Sequence, residues 1–320
     1  MNEAASQPAP VARRRIWVRV VVALLALACL GILFARFSAA EVLREMQRGD
    51  ALAMLPVAAV GVLVSLPVVT TGDWLVVARC LGGPRYADLL RGVSGAATLN
   101  ALGYVANMGG YGVWLARASG ASPARAAGVV LYLVTSELTG VAALGGAALA
   151  AGVVPLPAAV RWSGVGLAAV LLLLKLAPGR ERWAARLASG IAEPWRLVAR
   201  ARAWAEIGVR VAQIGVWVVS SWAAANAFGI AVPFGVMAAY LPAILMVGAL
   251  PFNFAGVGAV QGAWLLLVPW ARSPEQVLAF ALLWPLMSSA LIVLRGLPFL
   301  RRAVAVVERG GASPSGAIPS

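Results

Sequence analysis

Residues 99–115 read LNALGYVANMGGYGVWL, and residues 241–270 read LPAILMVGALPFNFAGVGAVQGAWLLLVPW. Both belong to longer apolar segments, 89–115 and 235–270, that have membrane composition but are studded with Gly, Asn and Pro. Each sits between cleaner apolar segments, one in each half of the chain. Broken backbone at membrane depth is tolerated only where protein or a watery cavity surrounds it. Paired breaks in two halves point to a transporter-like site at the repeat interface.

Working outward, the composition agrees. Of 320 residues, 62% are hydrophobic and 12% charged. That excludes a soluble globular domain and implies a polytopic helical membrane protein. Continuous apolar runs of about 20 residues, rather than alternation over about 10, argue against a β-barrel. There is no His, which removes imidazole metal sites, Ser-His-Asp triads and imidazole proton relays. Cys29 and Cys80 are too far apart to form a ligand set, and no cofactor or metal is expected. A single Lys among the basic residues, with abundant Ala, Gly and Val, reads as the codon bias of a GC-rich bacterium.

The formal charge of +14 comes from arginines that flank apolar runs. They do not line a polar, aromatic-rich face, so no nucleic-acid partner is expected. Clean spans are expected at 16–37, 51–72, 124–152, 158–177, 204–228 and 276–300, with Pro56 and Pro67 kinking the second. Residues 1–12 read as a disordered cytoplasmic N-terminus, 13–303 as one transmembrane domain, and 304–320 as a cytoplasmic tail. Residues 38–50 suit a short interfacial helix. Residues 178–203 suit an amphipathic helix on the membrane surface. Ser122 and Pro123 have the residue types of an N-cap and first helical position.

If both broken segments are hairpins that return to their side of entry, 21 of the 26 Lys and Arg fall on one side and 5 on the other. The positive-inside rule then puts both termini in the cytoplasm, at the bacterial inner membrane. The first hairpin enters from the cytoplasm and the second from the opposite face. The expected fold class is therefore an all-α polytopic membrane protein with about six transmembrane helices plus two oppositely oriented re-entrant helical hairpins, an inverted repeat.

Several residues carry chemistry in this reading. Glu137 is the acid deep in an expected span. It suits a polar anchor for a cationic head group, a proton-coupled switch, or a structural salt bridge. Arg79, Arg85, Arg91 and Arg117 flank the first hairpin, with Arg91 and Arg117 bracketing it. They either meet lipid phosphates or only set topology. Asn100, Asn107 and the run Gly109-Gly110-Tyr111-Gly112 are expected at the hairpin tip, where they expose backbone N–H groups to an anion or simply make a turn. Pro251, Asn253, Gly256 and Gly258 form the matching break, followed by Gln261 and Trp264. Gly258 and Gly262 have the spacing of a close-packing motif.

On these residues the chain resembles the lysylphosphatidylglycerol synthase transmembrane (flippase-like) family. Gly109-Gly110, Gly112 and Arg117 match its first signature, Pro251 with Gly256 and Gly258 its second, and Glu137 the acid in the span after the first hairpin. The likeness covers roughly residues 75–300. Where many relatives place an acid soon after the glycines, this chain has Val113, Val260 and Gln261.

The resemblance implies an inner-membrane protein that moves or handles polar lipids between leaflets. Some members add a soluble aminoacyl-transferase domain, for which this chain has no room, so synthase activity is not carried over. The expected function is translocation of a polar lipid or lipid-linked head group, with membrane lipids as partners and no enzymatic step. A homo-oligomer or an envelope-lipid pathway partner is compatible with it. The alternatives are a non-catalytic scaffold subunit of such a pathway and a lipid-modifying membrane enzyme. The enzyme lacks any clustered acids or nucleophile–base pair to support it.

Overall fold

The structure is a computed structural model. It describes residues 34–82, 84–176, 190–249, 253–254 and 257–309, together with positions 24, 28, 31 and 32. The N-terminal segment, most of the expected first span and residues 178–189 of the expected amphipathic stretch lie outside the described residues.

The described elements are almost all helical. Ser38 caps α1 (Ala39–Arg48), as residues 38–50 led one to expect. Asp50 then caps α2 (Ala51–Cys80) by accepting from the Ala53 N–H at 2.8 Å. Next come α3 (Tyr86–Ala97), a 3₁₀ turn (Thr98–Leu102) and α4 (Tyr104–Ser119). Helix α5 (Pro123–Ala150) starts as its sequence predicts, with Ser122 accepting from the Arg125 N–H. Helix α6 (Ala158–Leu176), the short α7 (Glu193–Leu197), α8 (Arg200–Ala227) and α9 (Phe234–Ala249) follow. The chain continues with α10 (Ala259–Trp264), a 3₁₀ turn (Leu265–Trp270) and α11 (Pro274–Arg309).

Among the described residues four helices are long and apolar enough to cross a membrane: α2, α5, α8 and residues 274–300 of α11. Helix α6, an expected span, has 19 residues, packs along α5 and is not one of those four. Several expected boundaries move. Helix α2 has 30 residues and continues past Gly72 to Cys80, because Asp73 finds a partner inside the protein. Helix α11 runs through Ala303 to Arg309, so the expected tail begins as helix. Residues 200–203, assigned to a surface helix, open α8 instead.

The two broken segments become helix pairs. In the first, α3 and α4 pack against each other, with the 3₁₀ turn between them. The reversal is at Gly103, whose φ of +113° favours glycine. Of the residues expected at the tip, Asn100 is at this reversal, in the 3₁₀ turn, while Asn107 and Gly109–Gly112 are interior to α4. Packing of α4 on α5 keeps those glycines helical against their poor helix propensity. In the second pair, α9 packs on α10. Between them a two-residue antiparallel ladder pairs Asn253 with Gly258 and Phe254 with Val257, a feature the all-helical expectation omitted. Pro251 and Gly256 lie outside the described residues.

Contacts fix which ends lie together. Arg79, near the end of α2, donates to the Leu197 carbonyl of α7, and Arg125, at the start of α5, pairs with Glu193 at 2.8 Å. The first pair enters and leaves at this arginine-rich end, since α3 follows α2 closely and α4 leads directly into α5. At the far end Arg272 pairs with Glu45, and Gln276 donates to the Phe228 and Gly229 carbonyls. The second pair begins just after Gly229 and ends just before Arg272. A continuous apolar core from α8, α9, α10 and α11 surrounds it. Gly262 has nothing near its Cβ position, so the expected close-packing role fails there.

Candidate functional site

A cavity of about 210 Å³, with charged and amide side chains set among apolar ones, opens beside the first helix pair. Its walls come from α2, α3, the 3₁₀ turn, α4, α5, α8 and α11. It reaches from the middle of the bundle toward the arginine-rich end. At 1.5 Å per residue, Glu137 stands about 21 Å along α5 from that end, and Arg210 about 15 Å along α8.

The floor is a buried charge network. Glu206, Arg210 and Gln213 share one face of α8 through i,i+4 and i,i+3 spacing. Arg210 donates through Nε to Glu206 at 3.2 Å, through Nη1 to Gln213 at 3.0 Å, and through Nη2 to Asp73 on α2. Glu206 also meets Lys175 of α6 at 3.6 Å, and Lys175 donates to the Tyr132 carbonyl at 2.9 Å while lying over the Tyr132 ring. Two glycines make the space: a Cβ at Gly140 would stand 2.7 Å from that of Arg210, and one at Gly72 would crowd its guanidinium. An ion at bilayer depth costs about 2.5–3.5 kcal/mol on insertion scales, so charges there face inward and pair. This network has that arrangement.

Above the floor, Glu137 accepts from the Tyr104 hydroxyl at 2.9 Å. Tyr111 is buried near Asp73 and stacks on Trp114. On the opposite wall Arg295 of α11 donates through Nη1 to the Val62 carbonyl at 2.6 Å. Pro67 lacks an N–H and loosens the α2 ladder near this point, and Ser65 and Arg295 both bond the Val62 carbonyl. Next to Arg295, Gly296 lets α11 approach the Ser94 carbonyl and Thr98.

Of the residues singled out in the sequence, Asn100, Asn107, Tyr111 and Glu137 line this cavity. Others are placed elsewhere. Arg91 is exposed and paired with Asp88, and Arg117 is exposed near the end of α4. Gly109 faces open space, Gly110 makes room for Leu99, and Gly112 abuts Val130. Gln261 is buried and donates to the Ala281 carbonyl. Asn253 and Gly258 sit in the short ladder.

Sequence reasoning missed Asp73, Arg210, Gln213, Tyr104 and Arg295. It placed Asp73 in a loop, and it counted Lys175, Arg210 and Arg295 as cytoplasmic charge. Removing those three from the larger side leaves 18 against 5, so the charge bias survives the correction. The available signals were the Glu206, Arg210, Gln213 spacing and an acid flanked by apolar residues in TTGDWLVV. No family model matches the chain, and neither the curated proteins nor the solved structures searched contain a match.

Proposed function

We propose that this protein moves a polar lipid, or a lipid-linked head group, between the leaflets of a bacterial inner membrane. The observation that carries the reading is the half-buried, charged cavity at bilayer depth. Such a space gives a polar head group a path while acyl chains stay in lipid. In this reading the two helix pairs are re-entrant hairpins of opposite orientation, and the first forms the cavity wall. The opposed ends at which the pairs begin support that inverted arrangement. The charge bias places both termini in the cytoplasm. The resemblance to the flippase-like family points the same way. Arg91 and Arg117 draw phosphates toward the cytoplasmic mouth, and Glu137 is the charged group of the path. No enzymatic step or cofactor is involved.

The test uses purified protein in vesicles with head-group-labelled lipids and an impermeant quencher. Wild type is expected to move at least one polar lipid, and Glu137→Gln to slow it about tenfold, as loss of one buried charge contact does. Arg117→Ala is expected to slow entry less, because its charge is exposed. Unchanged leaflet distribution of every polar lipid with wild type, or equal rates in both variants and wild type, overturns the reading.

A further inference from the structure

Resting on that reading, we propose that the cavity is a receptor for a zwitterionic phosphodiester head group. Arg295 holds the phosphate and Glu137 holds the ammonium.

The argument starts from which charges are already used. Arg210 is already paired with two carboxylates, Asp73 and Glu206, and also donates to Gln213. Arg295 is not. A guanidinium has five N–H donors; Nη1 reaches a backbone carbonyl, and the buried Nε has no partner. Among the described residues no carboxylate lies within ion-pair distance of Arg295; Glu137 accepts from the Tyr104 hydroxyl and is attracted by Arg210, which is not within ion-pair distance of it. Both side chains line the same cavity. They stand on α11 and α5, which share no substantial packing interface, so the cavity separates them.

Two charges of opposite sign without a direct ion pair, held apart around one cavity, are costly at this depth until a ligand supplies both complements. A simple anion satisfies Arg295 but meets Glu137. A simple cation satisfies Glu137 but meets Arg295. Only a molecule with both charges satisfies the pair, and this repulsion of the wrong ligand sets specificity. Guanidinium forks match phosphate oxygens, and the Tyr104 and Trp217 rings give an ammonium further favourable faces. Asn100 and Asn107 supply amides for ester oxygens.

The full chain in detergent is titrated by calorimetry with glycerophosphoethanolamine, glycerophosphoglycerol and ethanolamine. The zwitterion is expected to bind about tenfold or more tightly than either singly charged probe. Arg295→Gln is expected to erase the preference over ethanolamine, and Glu137→Gln the preference over glycerophosphoglycerol. Arg295→Lys and Glu137→Asp keep the charges, and are expected to keep the order of preference if the neutral variants fail to fold. The same proteins in vesicles are compared on phosphatidylethanolamine and phosphatidylglycerol. Head-group preference in vesicles without binding of the soluble diesters identifies the ligand as the membrane-anchored lipid. Preferential binding without lipid movement keeps this inference and overturns the translocation reading. Lipid movement with no preference, or a preference indifferent to Arg295 and Glu137, keeps translocation and overturns this inference. No preference in either assay also overturns it.

Discussion

Arg210→Met is expected to destabilise the protein by about 3–5 kcal/mol, the usual cost of removing one partner from a buried ion pair. Arg210 is 2% exposed and joins α8 to α2 through Asp73. Its loss leaves Asp73 buried without its cation and removes one of the two cations that Glu206 meets. Methionine fills similar volume, so the effect isolates charge rather than cavity formation. Arg210→Lys keeps the charge but loses the planar fork that reaches three partners at once, and falls between wild type and Met. Adding Asp73→Asn to Arg210→Met recovers part of the loss, with a coupling of about 0.5–3 kcal/mol. The measurement is reversible unfolding in detergent, run as a double-mutant cycle. Additive losses would show that the two residues do not form one unit.

Gly296→Leu carries the second large effect. A Cβ at this position would stand 2.4 Å from both the Ser94 carbonyl oxygen and the Thr98 side chain. Neither α3 nor the 3₁₀ turn can absorb that by rotating a flexible tip, because the first obstacle is backbone. Overpacking of this kind costs about 1–3 kcal/mol. The functional loss is larger, since pushing α11 off α3 drags the adjacent Arg295 away from the Val62 carbonyl and reshapes the cavity. Gly262→Leu is the matched control. Nothing lies near its Cβ, and the change is expected to stay within about 0.5 kcal/mol. Thermal unfolding and lipid movement measured on both variants check the pair of expectations.

The sequence made the helices legible where a single signal dominated. Ser122 before Pro123 and the long apolar runs each located an element without help from the rest of the chain. The two breaks were legible as breaks, because Gly, Asn and Pro interrupt otherwise apolar segments. Their local form was not. The reversal fell to Gly103, while Gly109, Gly110 and Gly112 stayed helical, Gly110 making room for Leu99 and Gly112 abutting Val130. Residue type cannot distinguish a glycine that turns the chain from one that lets a neighbour approach.

Half of the site was hidden for a related reason. Asp73, Lys175, Arg210 and Arg295 look like interfacial charges when hydropathy is read along one helix at a time. They become interior only when α2, α6, α8 and α11 come together, so their partners are long-range facts. Glu137 was found because the apolar sequence on both sides left it no local alternative. Asn100 and Asn107 were found for their chemistry, although of the two only Asn100 is in the turn.

The central claim is that a head group passes through the cavity beside the first helix pair. Ala97, at the end of α3, lines it, and Ala97→Trp would fill the space while leaving every charged group in place. The direct measurement is the rate at which a head-group-labelled polar lipid reaches an impermeant quencher in vesicles. Wild type and Ala97→Trp are compared at equal protein density and with unfolding temperatures in hand. The predicted result is loss of movement in the folded Ala97→Trp protein. Movement at the wild-type rate with the cavity filled would contradict the account.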